Sequence, residues 1–325
     1  MGLFLKSRFL NMFSYLGLGC LFFLYSFALV SPYEYGDQFH YRRLYIFLEN
    51  LPIGDVSAAG KTFVGAAEPI SLYLLWLGSN LGVDKDVYIS IWNSIFLFGL
   101  FLLCRRYRVG FLFFILLLTN FYVVVLMTGA ERLKFSFIFI VYSILLNKYQ
   151  VLSRTLLFVS LFAHIQSIVV FISSFVYFKY KEFGLFLLTF RSNLRIIMIV
   201  FILIGLGFFF YFQLSGQLVS KVSFYFGWRS SFDIFKISIL FSLAIIISRR
   251  RFGFILLWLL FIPLVLLFGG DRINMIAFFV VVFALVDEGK TNNVLFLALM
   301  VYFTLKSVPF VGDIFDYGNG FFRAV

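Results

Sequence analysis

Four places in the sequence put charged or titratable side chains at the mouth of a long apolar run or inside one. Arg132 lies in Thr128-Gly129-Ala130-Glu131-Arg132-Leu133-Lys134, where mixed charges open an apolar segment. Arg272 follows Gly269, Gly270 and Asp271, and two glycines let a backbone bend close to a ligand at a helix start. His164 sits in Leu161-Phe162-Ala163-His164-Ile165-Gln166-Ser167, inside an apolar stretch. Asp37, Tyr41 and Tyr45 recur at the spacing of one helical face, and Glu68-Pro69 reads as the cap of a short helix. A guanidinium holds anions through a planar fork that keeps its proton, whereas imidazole and carboxylate groups can take up and release one. Each position also has a plain structural reading. An interfacial arginine snorkels, Asp271 neutralises Arg272, a histidine in an apolar run packs, and tyrosines line membrane interfaces. Ionisable groups at membrane depth are costly, which tips His164 towards function.

The elements that must position these groups follow from composition. With 62% hydrophobic and 13% charged residues in 325, the chain has too little polar surface to face water all round, so lipid must solvate much of it. The apolar runs are long and unbroken, with Leu, Ile, Val and Phe on every face, which is the helical rather than the barrel solution. The fold class is therefore all-α, a polytopic transmembrane bundle forming one unit over 1–325. A net charge of +12 would suggest nucleic acid in a soluble domain, but the basic residues lie in short clusters between apolar runs and read as topology signals. No nucleic-acid partner is expected.

The predicted spans are 12–30, 87–104, 109–127, 135–146, 196–212, 234–248, 252–268, 273–286 and 294–308. Lys6 and Arg8 precede the first, a layout shared by signal peptides and anchors; the many later spans favour an anchor. The stretch 70–81 is too short to cross, and 155–178 reads as a helical hairpin bent near His164. Cytoplasmic loops retain Lys and Arg, and this arrangement puts the clusters around Arg106, Arg154, Lys181 and Arg250 on one side together with the N-terminus. The opposite face then holds 31–86 as the main extracytoplasmic loop, 128–134, 213–233, 269–272 and the tail from Pro309. Cys20 and Cys104 fall within apolar spans, which argues against a disulfide framework. Two histidines, no cysteine pair and no P-loop or dinucleotide fingerprint leave no metal or cofactor to expect. A substrate should arrive already activated, from the membrane.

The pieces Asp37-Gln38-Phe39-His40-Tyr41, Glu68-Pro69-Ile70-Ser71-Leu72-Tyr73, Arg132 at a helix start, Ala163-His164-Ile165-Gln166-Ser167 and Gly269-Gly270-Asp271-Arg272 occur in this order along most of the chain. In this the sequence resembles the EpsG family and the Wzy-type polymerases of O-antigen, capsule and exopolysaccharide repeats. Ile165-Gln166 departs from the small or proline-like residues of that pattern. The resemblance implies a GT-C-like, metal-independent glycosyltransferase of the cytoplasmic (inner) membrane, acting at its outer face on polyprenyl-diphosphate-linked oligosaccharides as donor and acceptor. It implies a chain-length regulator protein as partner. Within that reading Arg132 and Arg272 hold the diphosphate, Arg229 is a third cation, and His164, Asp37 and Glu68 are the candidate bases, with Tyr41 beside the substrate. The rival classes are a transporter or flippase of the lipid-linked repeat and a glycan ligase using the same donor. Polarity gathered on one face favours an enzyme over a transporter.

Overall fold

The computed structural model describes residues 2–65, 68–182 and 231–321, and within them the chain is helical, with no strand. Among the described residues, three helices are long and apolar enough to cross a membrane, four if one bent pair counts as a span. The protein is a helical membrane protein. The chain divides into two compact units, Met1–Ser167 with Ala298–Val325, and Ile168–Leu297.

In the first unit, α1 (Gly2–Val30) lies antiparallel to α5 (Lys85–Arg106). Tyr15 meets Arg105 at one end, and Ser26 meets Asn93 towards the other. Asp84 starts α5 by accepting the amides of Asp86 and Val87, the orphan donors of a first helical turn. Between these two helices, 31–84 folds into α2 (Asp37–Phe47), α3 (Val56–Val64) and α4 (Pro69–Asn80). What reads as a loop is thus a small helical layer, with Pro69 at the first turn of α4 where a missing amide costs nothing.

The expected span 109–127 is instead a broken pair, α6 (Phe111–Leu118) and α7 (Phe121–Thr128), bent by 46°. Asn120 causes the break: its side chain accepts the Tyr122 amide and restarts the helix. The carbonyls freed there are satisfied from outside. Leu116 and Thr119 accept the hydroxyls of Thr304 and Ser307, at 3.2 and 2.7 Å. Those hydroxyls sit on the last helix, α14 (Val294–Tyr317), which runs through Pro309 where a tail was expected. Packing sustains it past the proline, since Lys306 lies 4.0 Å from the Phe121 ring centre and buried Phe310 stacks edge-on against Phe121 and Tyr33.

Helices α8 (Glu131–Leu145) and α9 (Gln150–Ala163) complete the unit. Gly99 lets α5 and α8 approach, because a side chain there would strike Val141. Ser143 and Ser153 exchange hydrogen bonds near the turn between α8 and α9, and Arg106 holds the Ile144 and Leu145 carbonyls at the same end. The N-terminus of α8 and the C-terminus of α9 therefore lie at the opposite end.

The second unit packs α10 (Ser167–Phe178), α11 (Ser231–Ile247), α12 (Arg251–Phe268) and α13 (Gly270–Asp287). Between Ile273 and Val286 every residue of α13 but Phe283 is buried, as suits a stretch apolar on nearly every face. At its C-terminus Glu288 accepts Tyr177 Oη, Ser248 Oγ and the Arg249 amide, at 2.6 to 2.8 Å. The predicted span 196–212 lies outside the described residues.

Candidate functional site

The end of the first unit that gathers the start of α8, the end of α9 and the helical layer carries its buried charge. Arg132 is on the first turn of α8, with 5% of its surface exposed. Its Nη1 meets Glu68 Oε2 at 2.6 Å and its Nε donates to Tyr41 Oη at 3.0 Å. The other Glu68 oxygen lies 3.0 Å from His164 Nδ1, so one carboxylate is shared between a guanidinium and an imidazole. His164 owes its place to the end of α9: it is the C-cap, in extended conformation, and Ser167 Oγ donates to its carbonyl at 2.7 Å. The second ring nitrogen, Nε2, stands 3.2 Å from Gln166 Oε1.

Glu68 occupies the N-cap of α4 but does not cap it with its side chain. The sequence suggested a local cap; the carboxylate instead turns into the protein. Burial pushes its pKa up, and Arg132, followed by His164, overcomes that and holds it well below the usual carboxylate range. Glu68 is accordingly ionised and a poor base. Burial raises the Tyr41 phenol, which stays protonated.

A second buried network touches the first through α2 and α8. Glu131 Oε1 accepts from Lys85 Nζ at 2.7 Å and from Gln38 Nε2 at 2.9 Å, while Lys85 also donates to Gln38 Oε1 at 2.6 Å. Gln38 further holds the Thr128 carbonyl. Lys134 Nζ and Asn93 Nδ2 both reach the Met127 carbonyl, at 3.3 and 3.1 Å. Arg42 ties the layer to both long helices: it donates to the carbonyls of Val30, Ser31 and Tyr33 and to Asp86 at the start of α5.

Of the residues singled out from sequence, Arg132, Glu68, His164 and Tyr41 come together. Asp37 does not join them: it lies exposed at the start of α2, although Tyr41 and Tyr45 on the same turns are buried. Arg272 opens α13 in the second unit and is half-buried, and Arg229 lies outside the described residues. The Gly269-Gly270 turn has a different explanation from ligand approach. Gly269 takes a positive φ of 83°, and the Asp233 carboxyl group fills the space a side chain at position 270 would need. Gln38, Lys85, Glu131 and Lys134 were not singled out as site residues. The signal of Lys85, Glu131 and Lys134 was charge retained at helix starts in so apolar a chain, but which groups pair across 46 residues is not readable from spacing. Among the described residues no three His, Cys, Asp or Glu side chains gather to hold a metal ion.

Comparison with protein-family models, curated proteins and solved structures finds no match to this chain.

Proposed function

We propose that this chain is a glycosyltransferase that polymerises polyprenyl-diphosphate-linked oligosaccharide repeats at the outer face of the cytoplasmic membrane. The reading takes the bundle as GT-C-like with about nine spans, several of them tilted or broken, as the run lengths suggest. The observation that carries it is the Glu68 carboxylate shared by Arg132 and His164 beside Tyr41. This end of α8 and α9 lies opposite the end that carries Arg105 and Arg106, which the positive-inside rule assigns to the cytoplasm.

In the reaction a hydroxyl of the incoming repeat forms a bond to the anomeric carbon of the growing glycan. The bond from that carbon to the diphosphate breaks, and the diphosphate leaves with the electron pair. Glu68 orients His164 by accepting a hydrogen bond from its Nδ1–H, and Nε2 takes the proton of the attacking hydroxyl. Gln166 faces that nitrogen in the resting protein and yields it to the substrate. Arg132 meets phosphate oxygens with the edge of its fork turned away from Glu68, so that its charge opposes the negative charge growing on the leaving group. Arg272 and Arg229 belong to the same reading as further phosphate cations. Of the three candidate bases, His164 is favoured by the pairing of Glu68 and the exposure of Asp37.

The test is to supply the purified protein with a defined polyprenyl-diphosphate-linked repeat, with chelator present, and resolve the products by size. A ladder of repeats supports polymerisation. A single transfer to another acceptor indicates a ligase, and no turnover with movement of the lipid between leaflets indicates a flippase.

A further inference from the structure

Helices α2 and α4 bury one apolar face against the protein and turn further large apolar side chains outward. The buried face of α2 carries Gln38, Tyr41, Leu44 and Tyr45, while Phe39, Ile46 and Phe47 point outward beside the polar Asp37, His40 and Arg43. Ile46 is 71% exposed and Phe47 50%. Helix α4 buries Ser71, Leu72, Leu75, Gly78 and Ser79, yet Tyr73, Leu77 and the C-capping Leu81 form an outward apolar stripe spaced by four residues, with Leu81 65% exposed. Helix α3, between them in sequence, shows the opposite order, with Lys61 and Thr62 exposed and Val56 and Ala59 buried. One layer thus turns large apolar side chains outward on α2 and α4 among polar and charged ones, and polar side chains outward on α3, as at a boundary between lipid and water.

The position of the layer says which surface covers it. Helices α1 and α5 are each long and apolar enough to cross a membrane, and α1 leaves Leu16, Leu21 and Leu24 exposed along its length. The chain leaves the end of α1 and returns at the start of α5, so 31–84 lies at one membrane face. Arg42 fastens α2 to that rim through the Val30 and Ser31 carbonyls and Asp86. The outward side chains of α2 and α4 therefore lie on a layer fastened directly to the ends of two apolar spans. Arg43 fits the same place: its guanidinium lies over the Phe39 and Phe63 rings, 5.4 and 5.7 Å from their centres, the posture of a cation with an apolar stem and a charge at headgroup level.

We infer that α2 and α4 are interfacial helices embedded in the leaflet, their outward stripes covered by acyl chains, while α3 faces water. The inference does not depend on glycosyl transfer.

It is tested with single cysteines at Ile46, Leu77 and Leu81, and at Lys61 and Thr62 as references, in a Cys20→Ala/Cys104→Ala background. Each is labelled with an environment-sensitive fluorophore in liposomes of the full chain. Lipid-borne doxyl groups should quench labels at 46, 77 and 81 several-fold more than aqueous iodide does, with the reverse at 61 and 62. Quenching of 46, 77 and 81 by iodide alone overturns the inference by placing the stripes in water. Protection from both quenchers that disappears as protein is diluted into excess lipid overturns it in favour of a second copy of this chain. The readout is the label's surroundings, so either failure leaves the enzymatic reading as it stood.

Discussion

Glu68 stands at the head of its own helix, yet its carboxylate binds Arg132, 64 residues further on, at 2.6 Å. The pair joins the helical layer to the first turn of α8. If Arg132 stabilises charge in the transition state, Arg132→Ala should insert normally and lower turnover about a hundred- to thousand-fold. Arg132→Lys should not restore it, because an ammonium cannot serve Glu68, Tyr41 and a phosphate through one planar fork. In cells the expected outcome is single repeats in place of long chains, read on a glycan gel; unchanged chain length removes Arg132 from the mechanism.

The same carboxylate makes stability depend on acid. Its folded pKa is below its unfolded value, so the folded state gains stability above an unfolded pKa of about 4.3 and loses it as pH falls towards the folded value. Thermal unfolding in detergent should therefore drop more steeply below about pH 4 for the native chain than for Glu68→Gln, which has no proton to gain. Parallel curves would show that Glu68 is not held ionised.

Lys85 and Glu131 form a buried pair with side chains 6% and 0% exposed. Removing one partner strands a charge, so Lys85→Ala or Glu131→Ala should cost about 3–5 kcal/mol of stability. Replacing both with Met and Leu should cost less than the sum of the single changes. A double-mutant cycle by thermal unfolding checks this, and additive costs would mean the two groups are not coupled.

Gly270 is tested by a methyl group. Gly270→Ala would collide with the Asp233 carboxyl, and a destabilisation of about 1–3 kcal/mol is expected. Combining it with Asp233→Gly should recover most of that cost. If the double variant is no better than the single one, the glycine answers to something other than Asp233.

Much of the helical organisation was legible because it follows from apolar run length. The starts and ends of α5, α8 and α11 through α13 came within about four residues of the runs that suggested them, whereas α1 begins ten residues before its run and α9 five before, both carried into polar flanks. The break at His164 was legible too, since a cluster of polar side chains interrupts the apolar pattern there. Asn120 hid a break because one polar residue barely changes average hydropathy, yet it alone offers an amide acceptor that competes with helix continuation. Pro309 misled in the opposite sense: local propensity says stop, while ring packing around Phe310 carries α14 onward. Among the candidate site residues, type and position marked Arg132, Glu68 and His164. Which carboxylate serves which cation is a tertiary fact, and the inward turn of Glu68 away from its own helix had no local cue.

The hydroxyls of Thr304 and Ser307 give the order of synthesis a structural meaning. They close carbonyls of a broken helix made 188 residues earlier, so the α6–α7 bend has no partner from α14 until that helix has itself been made. Until then lipid would face bare peptide oxygens, and the nascent bundle must shelter them by other means, from translocon water or a chaperone of membrane insertion. Losing those two hydroxyls would be felt first as a fault in biogenesis, before any change in the mature protein's chemistry.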